Sequence, residues 1–174
     1  MLGTVSVYWA HSAGPVVMGI VNVTPDSFSD GGVIADPRGA AGHAVRLVEE
    51  GAAIVDVGGE SVRPGAQPVG VDEELRRVIP ALERIIPACP GIAISIDTTK
   101  ADVAERALGM GAAIVNDVSA LRVDPRMAAV IADSGATVCL MHMQGVPETM
   151  QVEPRYDDVV SEVQAFLHDR IELA

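Results

Sequence analysis

The chain has 174 residues, 49% of them hydrophobic but only 3% aromatic, and a formal net charge of −12 with a single lysine, Lys100. That length accommodates one domain with a substantial core. The aliphatic, aromatic-poor composition favours buried Val/Ile/Ala strands alternating with Ala-rich helices over an aromatic-rich β-sandwich. No basic patch of the kind that nucleic acid or an anionic membrane requires is present, so an anionic ligand must be held by a few local cations, a metal or backbone N–H groups.

The first apolar run, Pro15 to Val21, has no Lys or Arg before it and is far too short to span a bilayer. Its last residues form the first candidate strand, VVMGIVN (16–22), which opens into a polar loop, TPDSFSDGG (24–32). A helical pattern follows at Ala41, Ala44, Val45 and Val48. The second strand, AAIVDVG (52–58), leads into GGESVRPGA (58–66), a second loop rich in Gly, Pro and Ser. Such composition suits loops that close over a site. Arg63 stands there among glycines and a proline, where a guanidinium can grip an anion bidentately, or can simply be a solvated charge.

Asp72 is the expected N-cap of the next helix, with Glu73 and Glu74 near its positive dipole end. Leu75, Val78, Ile79, Leu82 and Ile86 make its apolar stripe, and Pro80 predicts a kink or a restart inside it. After the third strand, IAISID (92–97), Val103, Ala104, Ala107 and Leu108 mark another helix. The fourth strand is AAIVND (112–117), and Asp124-Pro125, an N-cap followed by an N1 proline, predicts the start of a helix carrying Met127, Val130 and Ile131. The fifth strand, TVCLMH (137–142), precedes a helical stripe at Val160, Val163, Leu167 and Ile171 that runs to Ala174 without a stop signal. Cys89 and Cys139 have no metal-like spacing and read as buried thiols in a reducing compartment, so the expected location is cytoplasmic.

Repeated strand–helix units with unalternating apolar strands predict a parallel sheet with right-handed crossovers. No G-x-G-x-x-G follows the first strand, which lowers the dinucleotide-binding version. Asn22, Asp56, Asp97, Asn116 with Asp117, and His142 all fall at or near strand C-terminal ends. A barrel would converge those ends on one face, where an open sheet would spread them along an edge. Each position also has an ordinary explanation. Asp56 can shape the turn at Gly58-Gly59, Asn116-Asp117 can cap the next segment, and His142 can be a packed imidazole. Five strands ending this way favour a site, and the fold class expected is α/β, of the (β/α)₈ barrel type.

The stretches MGIVNVTPDSFSDGG and DVGGESVRPGA, followed by SIDTTK, GAAIVNDVSAL and LMHMQGVPETMQ, resemble the signatures of dihydropteroate synthase, from about Met18 to near the end of the chain. The resemblance implies a (β/α)₈ barrel of folate biosynthesis that joins 6-hydroxymethyl-7,8-dihydropterin pyrophosphate to p-aminobenzoate with Mg²⁺, and that is the target of sulfonamides. It implies Asn22 as the metal ligand and Asp97 and Asn116 as the pterin-binding and catalytic pair. Met141 would line the pterin floor. Phe28 and Asp30 of the first loop, and Ser61, Val62, Arg63 and Pro64 of the second, would complete the p-aminobenzoate pocket. It also implies a homodimer for the full-length form.

Two departures stand out. Position 62 is Val where the family pattern has Thr, which removes one hydroxyl. A (β/α)₈ barrel takes about 250 residues, and the later family motifs that supply an Asp, a Lys, an Arg and a His are absent. The expectation is therefore one barrel domain over residues 1–174, truncated at its C-terminus, with about five of the eight units. Two other readings share the pterin pocket: the pterin-binding domain of a folate-dependent methyltransferase, and a non-catalytic pterin-binding module.

Overall fold

The structure is a computed structural model that describes residues 14–24, 36–61 and 68–174. Strands and helices alternate as β1 (Met18–Asn22), α1 (Pro37–Glu49), β2 (Ile54–Gly58), α2 (Val71–Ala88), β3 (Ala93–Asp97), α3 (Ala101–Met110), β4 (Ile114–Asp117), α4 (Met127–Ser134), β5 (Thr137–Leu140) and α5 (Val159–Leu173). All ten coincide with elements expected from the sequence, with each strand beginning or ending up to two residues inside its apolar run.

The five strands are parallel and lie in the order β1-β2-β3-β4-β5. A doubly wound sheet reverses its strand order at a switch point. Here the order never reverses, so right-handed crossovers carry α1 to α4 to the same face. Residues of one parity face those helices. Val21, Val55, Val57, Ile94, Ile96 and Val115 meet Ala44, Val78, Leu82, Ile85, Val103 and Met127 in one buried core. The other parity faces what would be a barrel interior. Gly59 marks a close approach of β2 to α2, because a Cβ there would come within 2.7 Å of Val78 Cγ1.

Two helix starts and one interior differ from expectation. The N-cap of α2 is Gly70, not Asp72, which sits inside the first turn. Pro80 neither kinks the chain into two helices nor restarts it, since α2 runs unbroken through Pro80 and Pro87. Burial of Val78, Ala81, Leu82 and Ile85 around Pro80 holds the helix across the missing N–H. Helix α4 begins at Met127 with Arg126 as its N-cap. Asp124 instead accepts the Ala101 N–H at the start of α3, at 3.0 Å, so it caps the neighbouring helix. Helix α5 has the best local cap of the five, with Asp158 accepting from Val160 and Ser161 and Glu162 reaching back to the Asp157 and Asp158 N–H groups. Yet none of its residues is buried, and Val160 and Ile171 of the expected stripe are exposed.

Candidate active site

The ladder register aligns the strand ends. Asn22 pairs with Gly58, Gly58 with Asp97, Asp97 with Asn116, and Asn116 with Cys139. Register partners in a parallel sheet share a face, so this row lies on the interior side at the C-terminal ends of the strands. One row deeper, Ile20, Asp56, Ser95, Ile114 and Thr137 are aligned in the same way. Gly58 is the row's gap. A Cβ built there would stand 3.4 Å from Asn22 Oδ1 and 3.5 Å from Asp97 Oδ2, so the absent side chain leaves a cradle between an amide oxygen and a carboxylate.

The row is acidic. Burial pushes the Asp97 carboxyl up to about 7, with the charges of Asp56, Glu74, Asp117 and Glu60 adding to the rise. Asp56 is only 3% exposed, and burial pushes it up as well. Its Oδ2 accepts a hydrogen bond from Asn116 Nδ2 at 3.1 Å, which opposes that rise. The Ser95 hydroxyl lies close enough to oppose it too, without completing a hydrogen bond. Asp56 Oδ1 is buried and has no hydrogen-bond partner.

The lone lysine is spent outside this row. Lys100 Nζ sits 2.5 Å from both Glu60 Oε2 and Glu74 Oε2, and Glu74 is fully buried. The other Glu60 oxygen accepts the Val69 N–H at 2.9 Å, so Glu60 ties the two described flanks of the second loop together. Asp117, by contrast, faces the helices. It accepts the Ser119 and Leu121 N–H groups, both at 2.8 Å, and fixes a turn in which Ala120 and Leu121 adopt φ of 53° and 63°. That is a structural role, as the ordinary reading of Asn116-Asp117 expected. His142 packs edge-on to Phe166, 4.9 Å between ring centroids, and against Tyr156, the packed imidazole of the ordinary reading.

Of the residues singled out in the sequence, Asn22, Asp97 and Asn116 come together in one row. Ser61 lines an adjacent cavity of about 390 Å³, with Glu60, Pro68, Thr99, Arg122 and Met143 among its walls. None of Asn22, Asp97 or Asn116 lines that cavity, so it neighbours the strand-end row rather than containing it. Met141 follows β5 half-buried, while Met143 reaches the cavity wall. Phe28, Asp30, Val62, Arg63 and Pro64 lie outside the described residues. Asp56 is the polar residue that sequence reasoning counted among the strand ends, with turn-shaping as the alternative, but gave no role in the site. Its parity with Gly58 and Ile54 was the available signal, because alternate residues of a strand share a face.

A consecutive parallel sheet, with helices on one face and polar strand ends gathered on the other, is part of a (β/α) barrel, a fold whose ligand sites lie at the C-terminal ends of the strands. The chain belongs to the pterin-binding enzyme family, whose pattern matches residues 18–174. It is 50% identical over 157 residues to the dihydropteroate synthase of Escherichia coli K12, covering 90% of this chain and 55% of that protein. The Yersinia pestis dihydropteroate synthase crystallised with a sulfonamide drug superposes with a TM-score of 0.84 at 44% identity, over 91% of this chain and 57% of that one. The Xanthomonas albilineans enzyme with 4-aminobenzoic acid gives a TM-score of 0.80 at 52% identity, over 91% and 55%. The chain thus spans little more than half the length of these relatives. Among the described residues, no helix is long and apolar enough to cross a membrane.

Proposed function

We propose that the full-length protein is a dihydropteroate synthase, condensing 6-hydroxymethyl-7,8-dihydropterin pyrophosphate with p-aminobenzoate to give 7,8-dihydropteroate and pyrophosphate. The alignment of Asn22, Asp97 and Asn116 in one interior row carries the reading, supported by relatives of that activity at about half identity. Asn116 offers both a donor and an acceptor to the edge of a heterocycle. An ionised Asp97 beside the reduced ring stabilises the positive charge that develops as pyrophosphate leaves, which is electrostatic catalysis. The arylamine is a weak nucleophile, so departure of the leaving group leads and amine attack follows. The second loop, tied at its flanks by Glu60, would exclude water from that step.

An acidic row is a poor place for pyrophosphate without a counter-charge. Mg²⁺ fits the donor set: it is held by one or two protein oxygens plus substrate phosphates rather than by an all-protein cage. Asn22 Oδ1, facing the Gly58 gap, is the protein oxygen we assign to it. When bound, the ion would neutralise the charge building on the leaving pyrophosphate. Val62 supplies no hydroxyl, so any contact of the second loop there falls to its backbone. A homodimer is the assembly we carry for the full-length form on the family resemblance. Cys89 is buried as expected while Cys139 is exposed, against expectation, because it stands on the open face of the outer strand β5; two free thiols support a reducing, cytoplasmic location.

The test is p-aminobenzoate-dependent formation of dihydropteroate by the purified full-length protein, supplied with the pterin pyrophosphate and Mg²⁺. Turnover that disappears on chelation is expected. Tight pterin binding with no turnover under any metal condition would replace this reading with the non-catalytic module.

A further inference from the structure

Asp56 is an expensive residue to keep where it stands. Its neighbours in β2, Val55 and Val57, are fully buried apolar side chains, and Asp56 itself is 3% exposed with one carboxylate oxygen unpartnered. Buried acids of this kind do little for stability, because the cost of desolvation rivals whatever the contacts return. Among the described residues its one side-chain hydrogen bond reaches not to the local backbone but across β3, from the Asn116 amide at 3.1 Å. That crossing depends on Ser95, the register partner of Asp56 on the intervening strand, being small. A turn former for Gly58-Gly59 would have bonded its own backbone instead.

We propose that Asp56 is a positioning residue that fixes the orientation of the Asn116 amide, so that Asn116 meets its ligand with one set order of acceptor and donor. An amide can turn over by half a rotation and exchange its oxygen for its NH₂. An ionised carboxylate accepts and never donates, so Asp56 holds the NH₂ side toward itself. The Asn116 oxygen and its second N–H are then presented in a fixed order to whatever lies along the row. Gains from such fixing show as affinity, because the ligand no longer has to select one of two amide orientations.

The inference rests on the pterin-binding reading and is tested on the full-length protein with 6-hydroxymethylpterin as the titrant in calorimetry. Asp56→Asn keeps the shape and removes a buried charge, so folding is not threatened, but Asn in that place can offer either of its own ends to Asn116. It should weaken pterin binding about tenfold, as should Asn116→Ala. The double variant should bind no more weakly than Asn116→Ala alone, because the two changes remove one device. Ser95→Val, which puts a branched side chain between the pair and leaves both members in place, should reproduce the loss. Affinity for p-aminobenzoate, measured in parallel, should be unmoved by Asp56→Asn, whereas a merely structural lesion would shift both ligands. Losses that multiply in the double variant, or no loss in Asp56→Asn, overturn the positioning role and leave the function untouched. Wild-type protein that fails to bind pterin at all overturns the function, and this inference with it.

Discussion

At the scale of single residues, Asp97 carries a pH signature that can be read without substrate. Its folded-state carboxyl is raised to about 7 from an ordinary 3.8, first by burial and then by the acids around it. The folded protein therefore holds that proton more tightly than the unfolded chain does between those two values. The stability Asp97 contributes is present below the ordinary value and is lost as the pH rises through about 7. Asp97→Asn removes the dependence. Its melting temperature should match that of the wild type near pH 4 and exceed it at pH 8, as followed by calorimetric scans across the range. A wild-type curve that falls just as steeply after the substitution would place the titration on another group. The row's other members show why the site was only partly legible. Asn22, Asp97 and Asn116 are strand-terminal, where the barrel argument looks for chemistry, and register then brings them together. Asp56 lies two residues before its strand end, and a one-dimensional reading leaves it open between the site and the nearest turn. Its true partner is 60 residues away.

At the scale of elements, the ion cluster of Lys100, Glu60 and Glu74 joins three parts of the sheet's C-terminal rim. Lys100 opens α3, Glu74 lies in the first turn of α2, and Glu60 follows β2. Glu74 has no exposure, and Lys100 is the cation that pairs with its carboxylate. Lys100→Met leaves a buried carboxylate unpaired and should destabilise the fold by about 3–5 kcal/mol, measured by denaturant unfolding. Adding Glu74→Gln to that variant should recover much of the loss, and failure to recover would mean that the lysine stem, not its charge, is what α2 needs. Sequence alone could not expose this cluster, since loops separate its members and only Glu74 reads as a helix-terminal charge. The same limit explains the helix starts. Asp72 and Asp124 have the chemistry of N-caps, but a cap is chosen by where the chain enters the helix. Gly70 takes the first place, and Asp124 serves the helix beside its own. Periodicity was the stronger guide. Val78 and Leu82 are buried as the stripe of α2 requires, while Pro80 is carried through by the packing around it.

At the scale of the whole molecule, the two faces of the sheet are unlike. Helices α1 to α4 cover one face and complete a core. The other face is open at its first strand, where Ile20 is 57% exposed, although Ile54 and Ile114 deeper in the sheet are buried. Among the described residues β1 pairs only with β2, and β5 only with β4. In a barrel those outer edges find partners and the interior face is filled by side chains from every strand. Relatives nearly twice as long have the chain to do so. Residues 1–174 prepared by themselves should consequently behave as a sheet with unpaired backbone and uncovered apolar side chains at both edges. The expected result in sedimentation is concentration-dependent association, together with binding of a hydrophobic dye and a broad melt in place of a single cooperative transition. The high negative charge opposes close approach, so association should strengthen as salt screens it. A monodisperse monomer with a sharp melt and no dye binding would mean that residues outside the described set cover the open face. The acidic strand-end row would then be enclosed within this stretch of chain alone.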